Sequence, residues 1–235
     1  VSVRTCSITL RQHLGGAKLS SITIINGVVI NGSRYGSGKS LQGNGELAKE
    51  KRELSGNFDR VEISNGIRAN IEVGRPTDGV TLSGDSNILP EIETRIREGK
   101  LIVSPADGVN LNPKNPVEAT FFMADLSGIT ASTSAAVNAT GVASASLKLN
   151  ASTSAKIKVE GGAERVKADA STSGTIVGRD LSTKDAVVDA STSGSILLNV
   201  SDSLFADAST SGEVFYIGSP SVKKDTSTGG SVGQY

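Results

Sequence analysis

Four aspartates recur at nearly constant spacing in the second half of the chain: Asp169, Asp189, Asp207 and Asp225. Carboxylates held about 5 Å apart could serve as the acid and the nucleophile of a retaining glycosidase, or could bind a cation such as calcium. Asn150 and Thr130 stand at the equivalent position of earlier repeats. Asp, Asn and Thr can all accept a hydrogen bond from the backbone N–H two residues on. This shared ability favours turn capping over cation binding and over catalysis.

Serines follow each aspartate in the repeated hexapeptide DASTSG, and we expect their hydroxyls to form a regular outward lattice: Ser171, Ser173, Ser191 and Ser193. Flat hydroxyl arrays on β-helices occur in ice-binding proteins, which favour outward threonine. The alternation of this repeat predicts that its threonine points inward, so a solvated edge face is the favoured interpretation. The aspartates and serines together form a predicted surface ladder, with no catalytic residue, cofactor site or metal site.

Two other motifs could carry chemistry near the start of the chain. The segment GSRYGSGKS, residues 32–40, is similar to a phosphate-binding loop, but that pattern requires glycine where Ser33 stands. His13 is the only histidine, and the neighbouring sequence offers it no partners for metal ligation or general base catalysis. We therefore predict a flexible Gly/Ser linker and a solvated histidine, without a cofactor.

The aspartates belong to a repeat whose first small residue stands at Ala131, Ala151, Ala170, Ala190, Ala208 and Thr226. A spacing of 18 to 20 residues over six copies is typical of a solenoid, in which each unit buries its apolar side against its neighbours. Counted from that residue, even positions are small or apolar and odd positions are polar. This period of two indicates strands.

The aligned repeats predict which side chains fill the interior. The column six residues after the first small residue holds only β-branched side chains: Val137, Ile157, Ile176, Ile196, Val214 and Val232. Lys224 replaces an inward Val or Ala in the last repeat, as expected of a blunted solenoid end. We predict an all-β fold, a parallel, right-handed β-helix or solenoid of about 20-residue coils, with roughly nine or ten coils.

The chain divides into three predicted regions. Residues 131–235 form the regular coils with ASTSG-type repeats, and residues 42–130 form irregular β coils with looser periodicity. Within residues 42–130, the segment NILPEIETRIREG could form one helical turn or two. Residues 1–41 form a separate arm or hairpin, in which the Asn-Gly of SITIINGVVI indicates a hairpin turn.

Composition excludes several functional classes. Lys plus Arg and Asp plus Glu both number 24, so no global field attracts nucleic acid or a membrane surface. No apolar run approaches the roughly 18 residues of a membrane span. The single cysteine, Cys6, excludes an intramolecular disulfide. Aromatic residues make up only 3% of the chain and tryptophan is absent, which disfavours stacking-based sugar recognition.

Two stretches carry a family resemblance: GNGELAKEKRELSGNFDRVEISNGIRANIEVG and TLSGDSNILPEIETRIREGKLIV. With the Ser/Gly-rich coils that follow, they resemble the bacterial family called "putative autotransporter adhesin, head GIN domain". The resemblance extends over about residues 42–235, and the segments SNGI, residues 64–67, and LPEIETRIREGKL, residues 89–101, carry most of it. It implies an exported β-helix protein with an adhesin-like role, and it supplies no catalytic residues.

The residues and the resemblance together predict a non-enzymatic exported protein of the cell surface, the periplasm or the outer membrane. Its rigid β-helix flank would bind an unknown protein or a glycan, but not nucleic acid. Two alternatives remain open, a polysaccharide-acting β-helix enzyme and a purely structural spacer. Several carboxylates clustered with Arg or Lys in one groove would favour the enzyme.

Overall fold

The computed structural model describes residues 23–25, 28–30 and 39–235. The chain divides into two compact units, residues 1–39 and 40–235. In the first unit, strands β1 (Thr23–Ile25) and β2 (Val28–Ile30) pair antiparallel. This antiparallel pairing agrees with the hairpin predicted for this segment, whose Asn-Gly turn, residues 26–27, lies outside the described residues.

The other described residues form strands and one 3₁₀ turn, Leu89–Glu91. The strands before the repeats are β3 (Lys39–Gln42), β4 (Leu47–Arg52), β5 (Arg60–Ile63), β6 (Arg68–Val73), β7 (Val80–Asp85), β8 (Ile92–Arg97), β9 (Lys100–Pro105), β10 (Val109–Asn112) and β11 (Glu118–Met123). The strands of the repeats are β12 (Gly128–Ala131), β13 (Ala136–Ala151), β14 (Lys156–Ala170), β15 (Thr175–Ala190), β16 (Ser195–Ala208), β17 (Glu213–Ile217), β18 (Ser221–Thr226) and β19 (Ser231–Gln234).

The strands of the repeats stack in parallel and in register. Ala131 lies beside Ala151, which lies beside Ala170, and the same step continues through Ala190 and Ala208. The predicted parallel β-solenoid with coils of about 20 residues is confirmed. The regular stack makes about five turns, so the prediction of nine or ten coils is wrong.

The lower number of turns has its cause before residue 128. Residues 60–73 form one coil, which pairs in parallel with β9 and β11 on one side and with β12 and β13 on the other. The segment between residues 42 and 130 also contains antiparallel pairs, β4 with β7, β7 with β11, and β8 with β9. The single 3₁₀ turn leads directly into β8, which shows that the ambiguous segment contains one helical turn.

Small aliphatic side chains fill the interior at the predicted positions. The β-branched column is at most 3% exposed in five coils: Val137, Ile157, Ile176, Ile196 and Val214. Val232, on the last coil, is half-buried, and Lys224 lies beyond buried Ala206 in an exposed position. Burying an aliphatic side chain contributes about 1.5–3 kcal/mol, so these columns account for the register.

The corner between successive coils differs from the prediction. Thr172 and Ser173 have φ values of +48° and +62°, and the Gly174 N–H donates to the Ser171 carbonyl at 2.8 Å. Thr172 is exposed, so the expected inward orientation of the repeat threonine is wrong. Two successive left-handed residues form a tight turn, and this turn interrupts the alternation on which the prediction rested.

Candidate functional site

The structure places the predicted aspartates in one outward column. Asn150, Asp169, Asp189, Asp207 and Asp225 lie side by side on successive coils. In parallel strands this register separates neighbouring side chains by about 4.8 Å. We call this column the acidic ladder.

The serines of the repeat lie beside the acidic ladder, at the corner. Ser171 and Ser191 are half-buried, whereas Ser173 and Ser193 are exposed and have positive φ. The serines therefore form part of a tight turn, and they do not continue the flat strand surface that carries the ladder.

Turn capping does not explain the aspartates. The N–H two residues after Asp189 belongs to Ser191, and it donates to the Ala170 carbonyl of the neighbouring coil at 2.9 Å. Ser171 donates in the same way to the Ala151 carbonyl at 3.0 Å. The backbone N–H groups of the corner are thus satisfied by the stack, and the turn-capping interpretation is wrong.

Electrostatic repulsion operates within the acidic ladder. Burial raises the pKa of Asp189, and the neighbouring Asp207 and Asp169 carboxylates raise it further. Lys167 acts in the opposite direction but does not reverse the shift. The ladder therefore carries negative charge that its surroundings compensate only in part.

A second outward column runs next to the acidic ladder, two residues earlier on each strand: Lys148, Lys167, Val187, Phe205 and Lys223. Val187 is 51% exposed and Phe205 is 40% exposed. We call Val187 and Phe205 the apolar pair. Large apolar side chains in contact with solvent on a strand surface indicate an interaction site more often than isolated surface residues do.

The ladder face is the outward surface of residues 146–151, 165–170, 185–190, 203–208 and 221–226, and it contains a groove of about 550 Å³. The groove passes over the apolar pair, and its charged lining consists of Arg165, Lys167, Asp185 and Lys223. The sequence analysis did not identify the apolar pair. The available signal was that both residues stand at odd positions of the repeat, which are outward.

A buried carboxylate, Asp85, fastens three segments before the repeats. It accepts hydrogen bonds from the backbone N–H groups of Gly45, Lys114 and Asn115 at 2.7–3.1 Å and from the Asn115 side-chain amide at 2.7 Å. Burial favours a raised pKa for Asp85, but these hydrogen bonds outweigh it and leave the pKa below its ordinary value. A Cβ on Gly43 would lie 2.0 Å from the Asp85 carboxylate, so the site requires glycine there.

Other predicted candidates fall partly outside the described residues. His13, Cys6 and the segment 32–38 lie outside them, and Lys39 and Ser40 belong to β3. Within the described residues, no three His, Cys, Asp or Glu side chains are arranged to hold a metal. No helix in this part of the chain has the length and apolar character to cross a membrane.

The fold is similar to solved structures of bacterial proteins. A "putative adhesin" from Bacteroides fragilis matches with a TM-score of 0.64 and 17% identity, over 83% of this chain and 98% of that chain. A "putative lipid binding protein" from Parabacteroides distasonis matches at 0.49 and 18%, over 84% and 100%. A "putative adhesin" from Parabacteroides merdae matches at 0.48 and 17%, over 84% and 99%.

The search of curated proteins found no match to the chain. A family model described as "Putative auto-transporter adhesin, head GIN domain" matches residues 57–220. This range includes the coil of residues 60–73 and most of the repeat strands, and it confirms the resemblance based on SNGI and LPEIETRIREGKL. The chain therefore belongs to the auto-transporter adhesin head GIN domain family.

Proposed function

We propose that the protein is a non-enzymatic binding protein that contacts a protein or a glycan through the ladder face. The observation that carries the proposal is the apolar pair, exposed side by side on adjacent coils within a groove that spans several strands. An apolar centre with a polar, charged margin is the usual composition of a recognition surface.

The stacked coils preorganise this surface for binding. Each coil is joined to the next by in-register backbone pairing, and corner N–H groups donate across coils as well. A surface whose side chains stand on paired strands loses little backbone entropy when it binds. This rigidity supports recognition by a flat flank rather than by mobile loops.

Family membership supports an exported location, at the cell surface, in the periplasm or at the outer membrane. The family description names an auto-transporter adhesin, and an adhesin meets its ligand outside the cell. Protease treatment of intact cells, compared with lysed cells, tests this location. Loss of the folded coils from intact cells would show that the protein is exposed at the cell surface.

The arrangement of carboxylates favours binding over polysaccharide cleavage. Asp185 is the only carboxylate that lines the groove with Arg165, Lys167 and Lys223, within the described residues. The ladder aspartates lie along a column instead of facing each other across a cleft. A structural spacer would not need to expose the apolar pair.

Binding to immobilised host proteins and to a glycan array tests the proposal. Val187→Ser/Phe205→Ser should abolish the strongest interaction found with wild type. Leu47, which is 66% exposed on β4 outside the ladder face, supplies the matched control Leu47→Ser, which should bind like wild type. Equal binding by wild type and the double variant would contradict the proposed surface.

A further inference from the structure

Two adjacent strand segments at the centre of the ladder face, residues 185–190 and 203–208, combine apolar surface with an excess of negative charge. In register, their outward side chains are Asp185, Val187 and Asp189 on one strand, and Ser203, Phe205 and Asp207 on the next. Three of these six side chains are carboxylates and none is a cation. Within residues 39–235, none of them takes part in an ion pair. We call this set the central patch.

Cations on the two flanking strands neutralise the central patch only in part. Arg165 lies in register beside Asp185, Lys167 beside Val187 and Lys223 beside Phe205, but Asp169 and Asp225 on the same strands add two carboxylates. Lys223 lies over the Phe205 ring, with its Nζ 5.4 Å from the ring centroid. Lys167 lowers the pKa of Asp189, but burial and the adjacent carboxylates leave that pKa raised. A ligand that brings positive charge to the central patch would relieve this repulsion.

We infer that the central patch binds a basic polypeptide segment, whose Lys or Arg stems cover the apolar pair and whose cationic groups meet the three carboxylates. The inference rests on the proposed function, since it names the ligand class of the same face. Lys and Arg side chains combine an apolar stem with a charged end. Guanidinium groups also pair with carboxylates through two parallel hydrogen bonds.

The protein itself shows that its aromatic side chains accept cations. The Arg75 guanidinium lies 3.2 Å from the centroid of the Phe122 ring, and that of Arg179 lies 4.4 Å from the Tyr235 ring. Such contacts are attractive because the face of an aromatic ring is electronegative. Phe205, at 40% exposure, retains accessible ring surface for a similar contact from a ligand.

Spacing along the face suits an extended segment. Neighbouring strands of the ladder face are about 4.8 Å apart, and alternate side chains of an extended peptide ligand are about 6.8 Å apart. Flexible four- to five-atom stems bridge this difference, so basic residues at alternate positions can reach successive carboxylates. Two copies of this face would instead bring acidic ladders together.

The test uses a labelled peptide of alternating Arg and Ser, with fluorescence anisotropy at low and high salt. Matched peptides carry citrulline or Glu in place of Arg, and cellohexaose serves as a neutral glycan. Asp189→Asn/Asp207→Asn removes charge, and Val187→Ser/Phe205→Ser removes apolar surface. Asp180→Asn/Glu213→Gln removes two exposed carboxylates outside the ladder face and controls for net charge.

We expect both ladder-face double variants to weaken binding of the Arg peptide at least tenfold, and the control variant to change it by less than twofold. The citrulline and Glu peptides should bind at least tenfold more weakly than the Arg peptide. Equal affinity of wild type and Asp189→Asn/Asp207→Asn would overturn the inference. Cellohexaose binding that needs the apolar pair, without Arg-peptide binding, would overturn it while leaving the proposed function intact. If the apolar-pair variant alters no interaction at all, the proposed function itself fails.

Discussion

Thr183 carries a buried hydroxyl group, which leads to a quantitative prediction. The residue is 4% exposed, and its Oγ1 has no hydrogen-bond partner among the residues that the structure describes. Ala163 and Val200 occupy the same column on the neighbouring coils, so valine fits the shape of this interior. An unsatisfied buried hydroxyl costs about 1–3 kcal/mol. We expect Thr183→Val to increase the free energy of unfolding by about 1 kcal/mol or more.

The measurement combines urea unfolding with calorimetry. For a chain of 150–250 residues, about 1 kcal/mol corresponds to a Tm shift of roughly 2–4 °C. Because a stack of repeats can open in parts, amide exchange of residues 175–208 gives a local readout.

Thr183→Ser is the matched control, because it keeps the hydroxyl and removes a methyl group. It should destabilise the protein by about 0.8 kcal/mol, the contribution of one buried carbon. A Thr183→Val protein that is less stable than wild type would refute the reasoning, since the hydroxyl would then have to be hydrogen-bonded in solution.

Three further predictions address the core, the acidic ladder and the buried carboxylate. Ile196→Asp should destabilise the stack by several kcal/mol because it buries an unpaired charge. Leu197→Asp, at a half-buried outward position of the same strand, should have a smaller effect, and thermal melts of both variants test the register. Asp189 has a raised pKa in the folded state, so its contribution to stability is present below the unfolded pKa of about 3.9 and is lost as the pH rises through the folded pKa. Asp189→Asn should therefore be more stable than wild type at pH 7, by less than about 1 kcal/mol per neighbouring carboxylate, and equally stable near pH 3; equal melts at both pH values would contradict this. Asp85 has a lowered pKa, so its stabilisation is present above about pH 3.9 and disappears as the pH falls through the folded pKa; Asp85→Asn should lower the Tm at pH 7, with a difference that narrows in acid.

The interior columns could be predicted from the sequence because they follow from two regularities. A period of two assigns sides of a strand, and a repeat of about 20 residues aligns the strands. Ile176 and Ile196 are both fully buried and directly paired, as these regularities require. The same parity marks Val187 and Phe205 as outward, so the apolar pair was also within reach of the sequence.

The turn at each corner could not be predicted from the alternation of inward and outward residues, because the backbone there is not extended. A β-branched residue rarely adopts positive φ, so Thr172 gave no sign that it occupies a left-handed position. The equivalent corner of the earlier coil is Asn65-Gly66, the sequence most typical of such a turn. Comparison of that corner with the repeats would have indicated the turn.

The segment before the repeats was unpredictable for a different reason. Its contacts join residues far apart in sequence, such as Val61 with Ile129 and Asp85 with Lys114. No local periodicity encodes which strands flank the coil of residues 60–73. Asp85 gave only a weak signal, an acidic residue directly after the alternating segment VTLSG.

The corners also explain how the ladder face keeps its register. A left-handed non-glycine residue costs about 1–2 kcal/mol, and the repeat corners from Thr133-Ser134 to Thr210-Ser211 each contain two, so an isolated corner would be unfavourable. In the stack, the Ser173 N–H donates to the Thr192 carbonyl, and the Ser193 N–H donates to the Thr210 carbonyl, both at 3.0 Å. These bonds form only when neighbouring coils are aligned, which means that the strained corners require the stack. Asp189 lies two residues before its corner, so the same bonds that offset the strain hold the charged and apolar columns in line.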